Sequence, residues 1–301
     1  MRVSRRIGLF AVLALAWVAP VRGGGSDEAA RAAEMKSLAS RLRYQTGQIH
    51  LRSGLATINL SGSFRYLDPA GADTLLTGIW GNPPAHDKTL GIITPANFDP
   101  FDDASWCVVL SYDEDGHVND DDAAKIDYAD LLKQMQEGTR ASSQERVKDG
   151  YPSVELVGWA AKPSYERTTH KFYWAKEIKF GDNVSGNTLN YNLRILGRGG
   201  VLVLNVVAGI AQLHTVEAAV PEILRMADFD SGQRYADYTP GTDKVATYGL
   251  AALVAGGVAA KTGLLKGVLV ALLAMKKFVV MGVVAFGAFL RRLFGARTSE
   301  S

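Results

Sequence analysis

Cysteine is almost absent from this chain, which has one among its 301 residues, Cys107. A single thiol cannot form an internal disulfide bond. Cys107 lies in an apolar run, residues 106–110, that is typical of a β-strand. A buried free cysteine behaves as a small hydrophobic residue, whereas a reactive thiol needs a basic and partly open setting. We therefore interpret Cys107 as a core residue.

An excess of either charge is also lacking. The chain has 33 Lys and Arg against 31 Asp and Glu, which gives a net charge of +2. Its central region has no run of basic residues interleaved with aromatic ones, so we expect no nucleic-acid partner. The 47% of hydrophobic and 21% of charged residues are typical of a folded protein rather than a disordered one.

Familiar catalytic and cofactor motifs are missing as well, so no cofactor is expected. Ser142 and Ser143 do not lie in a nucleophile elbow, and residues 197–200 lack the lysine of a phosphate-binding loop. The histidines are not spaced like two metal ligands on one helix face. They are His50, His86, His117, His170 and His214.

Two apolar stretches mark the ends of the chain. At the amino terminus, arginines precede an apolar run over residues 7–19, which Pro20 ends. This pattern predicts a signal peptide over residues 1–23, because the run is short for a membrane span. An uncleaved membrane anchor is the alternative.

The second apolar stretch covers residues 246–294 and is more than twice the length of about 20 residues that a membrane-spanning helix needs. We predict a single-pass anchor, with the body outside the cytoplasm and a polar tail, residues 295–301, inside it. A two-pass tail over residues 248–268 and 277–294 is the alternative. The basic residues of this apolar stretch are predicted to face anionic headgroups or a partner helix. They are Lys261, Lys266, Lys276, Lys277, Arg291 and Arg292.

The sequence pattern of the body between these two stretches predicts an α+β fold. Residues 24–46 are a polar helical lead-in, and residues 47–245 form the exported domain. Consecutive strands joined by short turns, with a central strand over residues 105–112, imply a largely antiparallel sheet with helices packed on it. We expect two helices to follow, from Ala123 and from Arg140, the first of them capped by residues 119–122.

Acidic residues concentrate at positions 113–122. Asp113, Asp115 and Asp120 are the candidate metal ligands, but Gly116 falls at the wrong position for an EF-hand loop. We favour a hairpin turn followed by a helix cap, since negative side chains stabilise a helix amino terminus.

Candidate catalytic residues are His170, Asp113, Asp115 and Glu155, which would suit a hydrolase with two carboxyl groups about 5–9 Å apart. The aromatic residues close in sequence indicate either sheet core or an aromatic groove for a glycan or peptide. They are Trp159, Tyr165, Tyr173, Trp174 and Tyr191.

Several long strings together resemble one protein family. They are WGNPP from Trp80, SYDEDGHVNDDDAAKIDYADLLKQMQEG from Ser111, GYPSVELVGWA from Gly150, THKFYWAKEIKFG from Thr169, LNYNLRILGRGGVLVLN from Leu189 and YGLAALVAGGVAAK from Tyr248. The chain from about Gly47 to the tail resembles a bacterial family of membrane-anchored proteins classed as domain of unknown function 2167. The resemblance implies an envelope protein with a membrane anchor and carries over no catalytic residue.

We therefore expect a bacterial inner-membrane protein whose periplasmic body is a binding or envelope-maintenance module rather than an enzyme. A membrane-anchored hydrolase of an envelope polymer is one alternative. Helix assembly through glycines of the tail is another. The expected partners are the bilayer, including anionic lipids, and either a membrane protein or a second copy of the chain.

Overall fold

The computed structural model describes residues 25–52, 54–82, 89–148, 150–181 and 186–256. The chain divides into two compact units, Met1–Val254 and Ala255–Ser301. The predicted signal peptide, His86 and the six basic residues of the tail lie outside the described residues. So does nearly all of the predicted membrane anchor. Within the described residues, no helix combines the length and hydropathy that a bilayer crossing requires.

Eight strands form one sheet in the spatial order β1-β4-β5-β6-β10-β9-β8-β7, and each neighbouring pair is antiparallel. Their bounds are β1 Tyr44–Gln45, β4 Phe64–Leu67, β5 Gly91–Pro95, β6 Cys107–Asp113, β7 Val154–Glu166, β8 Lys171–Phe180, β9 Thr188–Leu196 and β10 Val201–Gly209. This architecture confirms the predicted α+β fold with a largely antiparallel sheet. The predicted central strand is β6, which lies between β5 and β10.

One face of the sheet carries the main hydrophobic core. Alternate residues of a strand point to opposite faces, and on this face Leu193 of β9 and Leu204 of β10 are fully buried. They belong to one apolar cluster with Val216 and Ile223 of helix α4. The covering elements are α4, Leu213–Met226, and a second antiparallel sheet of β2 Gln48–Leu51, β3 Ala56–Asn59 and β11 Ala227–Phe229.

The opposite face is covered by helices at its two ends. Helix α1, Gly25–Ser40, and helix α2, Pro69–Asp73 with its π-helical continuation Thr74–Ile79, pack near β4–β6. Cys107 is fully buried in this cluster, and burial raises the pKa of its thiol to about 12. Helix α3, Tyr128–Lys148, packs on β7 and β8. Between these helices, β9 and β10 present polar side chains.

Helix starts follow local capping chemistry, with one correction. Asp68 caps α2 by accepting a 2.8 Å hydrogen bond from the amide of Gly71. The expectation of two helices after Ala123 was wrong, because α3 is one continuous helix. Its cap is Asp127, which accepts from the amides of Ala129 and Asp130.

The β9–β10 turn generates a test of packing. A methyl group on Gly200 would collide with the carbonyl oxygen of Asp113 and lie 2.8 Å from Tyr112, whereas one on Gly199 would meet Tyr112 at an ordinary 3.5 Å. We expect Gly200→Ala to lower the free energy of unfolding by about 1–3 kcal/mol, since backbone cannot move aside. Gly199→Ala should change it by less than about 0.5 kcal/mol. Denaturant unfolding followed by circular dichroism measures both, and equal effects would contradict this packing.

Candidate functional site

The acidic loop, residues 113–122 between β6 and α3, reaches the segment that leads into the apolar tail. We call that segment, residues 244–251, the tail root. Asp122 caps helix α5, Leu250–Ala255, by accepting the amides of Leu250 and Ala251 at 3.1 and 3.3 Å. The sequence predicted that residues 119–122 cap the helix that directly follows them. In the structure Asp122 instead caps α5, which begins 128 residues further along the chain.

Backbone pairing completes the contact between the acidic loop and the tail root. His117 donates its amide to the carbonyl of Lys244 at 2.8 Å and accepts from the amide of Ala246 at 2.8 Å. The hydroxyl of Tyr248 donates to Asp115 at 2.8 Å. Gly116 has a φ of +109°, and a side chain there would lie 2.7 Å from the carbonyl of Lys244. Glycine is required at this close approach.

Asp120, which is 7% exposed, is the centre of a polar cluster at the same end of the sheet. Its Oδ2 accepts a 2.6 Å hydrogen bond from the hydroxyl of Tyr165. That hydroxyl lies 3.1 Å from Nδ1 of His170, which is itself 3.6 Å from Oδ2 of Asp120. Arg167 forms a 3.6 Å ion pair with Oδ1. The structure thus brings together two predicted candidates, Asp120 and His170. They lie beside Tyr165 of β7 and Arg167 of the β7–β8 turn.

Four aromatic rings stack beside this cluster. In order they are Tyr238, His117, Tyr235 and His170, with centroid distances of 3.9, 4.2 and 3.9 Å. His170 adopts a φ of +52° in the β7–β8 turn. A left-handed backbone is uncommon outside glycine, although histidine is among the residues that tolerate it. The stack joins this turn to the acidic loop and to the short helical turn Tyr235–Asp237.

The electrostatics of the cluster favour an ionised aspartate beside a protonated tyrosine. Burial acts to raise the pKa of Asp120, but the hydrogen bond from Tyr165 and the charges of Arg167 and His170 hold it below its ordinary value. Burial raises the pKa of Tyr165, and donation to Asp120 raises it further, so the phenol stays protonated. Burial lowers the pKa of His117, which favours its neutral form.

The other predicted site residues lie apart. Glu155 lies near the start of β7, opposite Lys179 in the strand register. His170 follows Glu166, the last residue of β7, and so lies at the other end of this strand. The residues of β8 opposite Glu155 and Glu166, Lys179 and Lys171, are eight positions apart, roughly 26 Å of extended strand. The structure therefore does not bring Glu155 to His170. Asp113 ends β6 opposite Val201.

Metal binding finds little support in the geometry of the acidic loop. Among residues that the structure describes, no group of three or more His, Cys, Asp or Glu side chains is placed to hold a metal ion. Asp115 and Asp120 instead accept hydrogen bonds from two different tyrosines, Tyr248 and Tyr165. The sequence favoured a turn and a helix cap over a metal site for these carboxylates, and that interpretation stays a prediction.

The predicted aromatic groove is divided by the sheet. Tyr173 and Tyr191 contribute to the main core, whereas Trp174 packs against Phe172 on the opposite face, 5.1 Å between centroids. The alternation of strand side chains separates them. Sequence reasoning missed Arg167 and Tyr235 as members of the Asp120 cluster, because their partners are distant in sequence.

Comparisons with known proteins identify a family but no activity. The family model described as a protein of unknown function (DUF2167) matches residues 43–287. The solution structure of cyanobacterial PsbP from Synechocystis is 12% identical with a TM-score of 0.35, covering 62% of this chain and 92% of that chain. The Saccharomyces cerevisiae Ran-binding protein Mog1p is 10% identical with a TM-score of 0.32, covering 66% and 100%. A search of curated proteins finds no match.

The Asp120 cluster predicts a pH-dependent contribution to stability. Asp120→Asn removes the charge that accepts from Tyr165, and hydrogen bonds to charged groups contribute about 1.5–3 kcal/mol. We expect the variant to lose about 2 kcal/mol of unfolding free energy at pH 7. Since the pKa of Asp120 is lowered by folding, this wild-type advantage is present above the ordinary carboxyl pKa of about 3.9 and is lost as pH falls through the folded value.

Asp121→Asn is the matched control, because Asp121 is the exposed neighbour. Denaturant unfolding of the three proteins between pH 7 and pH 3 gives the comparison. If Asp121→Asn costs as much as Asp120→Asn, or if the gap between wild type and Asp120→Asn does not narrow in acid, the assigned role of Asp120 is wrong.

Proposed function

The chain belongs to the DUF2167 family, and we propose that it is a bacterial envelope protein whose exported body is a binding module held at the inner membrane by the carboxy-terminal apolar run. The amino-terminal segment directs export. The body then lies in the periplasm and residues 295–301 in the cytoplasm. The basic residues of the tail, from Lys261 to Arg292, contact anionic headgroups or a partner helix.

The binding of the tail root by the acidic loop is the observation that carries this proposal. A domain that hangs freely from an anchor would be joined to it by a flexible, glycine- and serine-rich linker. Here the first residues of the apolar stretch are instead held in place: Ala246 pairs with His117, and Asp122 caps the helix that begins at Leu250. This arrangement supports a body whose connection to the anchor begins in ordered structure.

The same contacts disfavour the hydrolase alternative. Glycoside chemistry requires two carboxyl groups that face one cleft. Asp115 and Asp122 hydrogen-bond to the tail root, and Asp120 to Tyr165, so these three carboxylates have structural partners. A binding role therefore fits this loop better than general acid–base catalysis. Assembly through tail glycines concerns residues outside those described and stays a prediction.

Reporter fusions test the topology. We expect a reporter that is active only outside the cytoplasm to work when fused after Gly241, because the signal segment exports the body. After Ser301, only a cytoplasmic reporter should work, since the arginines near that end favour the inside. A two-pass tail would place both fusions outside.

Membrane fractionation is the companion measurement for the full chain. The proposal expects it to stay with the membrane after an alkaline wash. Cytoplasmic activity of the Gly241 fusion, or release of the full chain by the wash, would contradict export and anchoring respectively.

A further inference from the structure

The sheet face opposite the main core carries a concentration of hydrogen-bond donors on β8, β9 and β10. We call this set the cationic face; its members are Trp174, Lys176, Asn190, Asn192, Arg194 and Asn205. The strand register places them side by side, since Trp174 lies opposite Asn192, Lys176 opposite Asn190 and Asn192 opposite Asn205. Two of the six are cations, and none is an acid.

Hydrogen bonds fix Arg194 in this set. Its guanidinium donates to Oδ1 of Asn205 at 3.1 Å and to Oδ1 of Asn192 at 3.3 Å. It also lies 5.2 Å from the ring centroid of Trp174. Asn192, which is 3% exposed, donates in turn to Oδ1 of Asn190 at 3.0 Å. The side-chain oxygens of Asn190, Asn192 and Asn205 therefore already accept hydrogen bonds. What the face offers a ligand is hydrogen-bond donors.

Among the residues that the structure describes, two donors of the cationic face find no acceptor. Trp174 is 1% exposed, and its buried Nε1 makes no hydrogen bond. Lys176, two positions along the same strand, forms no hydrogen bond or ion pair with the described residues. Burial lowers the pKa of Lys176 to about 8, and the charge of Arg194 lowers it too. Buried polar groups in proteins are nearly always paired, so the buried Nε1 of Trp174 calls for an acceptor.

The carboxy-terminal apolar run offers no acidic partner for these donors. Asp113 is a carboxylate whose charge acts on Arg194, and it belongs to the acidic loop. Residues 257–299 contain lysines and arginines but no Asp or Glu. This part of the chain therefore contains no carboxylate side chain that could neutralise the face.

We propose that the cationic face binds a phosphate group, either as free phosphate or as the headgroup of an anionic lipid. Guanidinium and ammonium groups are the usual phosphate ligands of proteins, and the indole N–H of Trp174 adds a neutral donor. Lys176 and Arg194 are partly exposed, so a ligand can reach the buried donor by displacing their flexible side chains. The site names a ligand class for the proposed binding module, but it does not depend on membrane attachment.

The test uses the full chain in a nonionic detergent, with ¹⁵N-labelled tryptophan and added inorganic phosphate. We expect the Trp174 indole resonance, assigned with Trp174→Phe, to shift saturably. Calorimetry should show affinity about tenfold or more weaker in Lys176→Gln, because one charged contact is lost. Lys176→Arg restores the charge and should recover most of the binding. The control is Lys179→Gln, which removes an exposed lysine from the other face of β8 and should leave affinity within about twofold.

A second arm adds phosphatidylglycerol to the micelles in place of free phosphate. A response to the lipid alone that Lys176→Gln abolishes assigns the headgroup, and one to inorganic phosphate assigns the free anion. If neither probe shifts Trp174, or if Lys176→Gln binds like wild type while its spectrum stays folded, the proposal is wrong. Phosphate binding by a chain that the alkaline wash releases would keep this site and remove only the anchoring role.

Discussion

The hydrogen bonds between the acidic loop and the tail root are the constraint on which one whole end of the sheet depends. The loop holds the tail root through His117 and Asp122, and it holds the β7–β8 turn through Asp120. The β9–β10 turn joins the same assembly, because Arg198 forms a two-bond contact with Asp243 at 2.7 and 2.9 Å. Segments far apart in sequence thus share one polar junction.

The two faces of the sheet have different roles. One is closed by α4 and the small sheet and supplies the main hydrophobic stabilisation. The other combines two helix-covered apolar ends with the cationic face between them. Leaving the buried indole N–H of Trp174 without an acceptor is unfavourable for folding. Proteins depart from local consistency chiefly at functional sites, and this is why we assign ligand binding to that face rather than to the aromatic residues as a group.

The sequence predicted a helix or strand well where a single local pattern was strong. The bounds of β8 and α4 follow from strand alternation and helical periodicity, and Asp68 with Pro69 marks the start of α2. The sequence did not predict β5 or β11, and it divided α3 at Gly138. These depend on tertiary pairing, which overrides weak local preference. At the site, His170 and Asp120 were recognised separately, but their junction with Tyr235 depends on contacts across more than a hundred residues.

Amide hydrogen exchange in Asp122→Ala, compared with wild type and Asp121→Ala, tests the central claim most directly. Exchange reports local opening of structure residue by residue. If the acidic loop holds the tail root, the amides of Leu250 and Ala251 and those of residues 244–248 should lose protection in Asp122→Ala alone. The amides of β9 and β10 should keep theirs. Unchanged protection of the tail root, or equal loss throughout the body, would contradict the account.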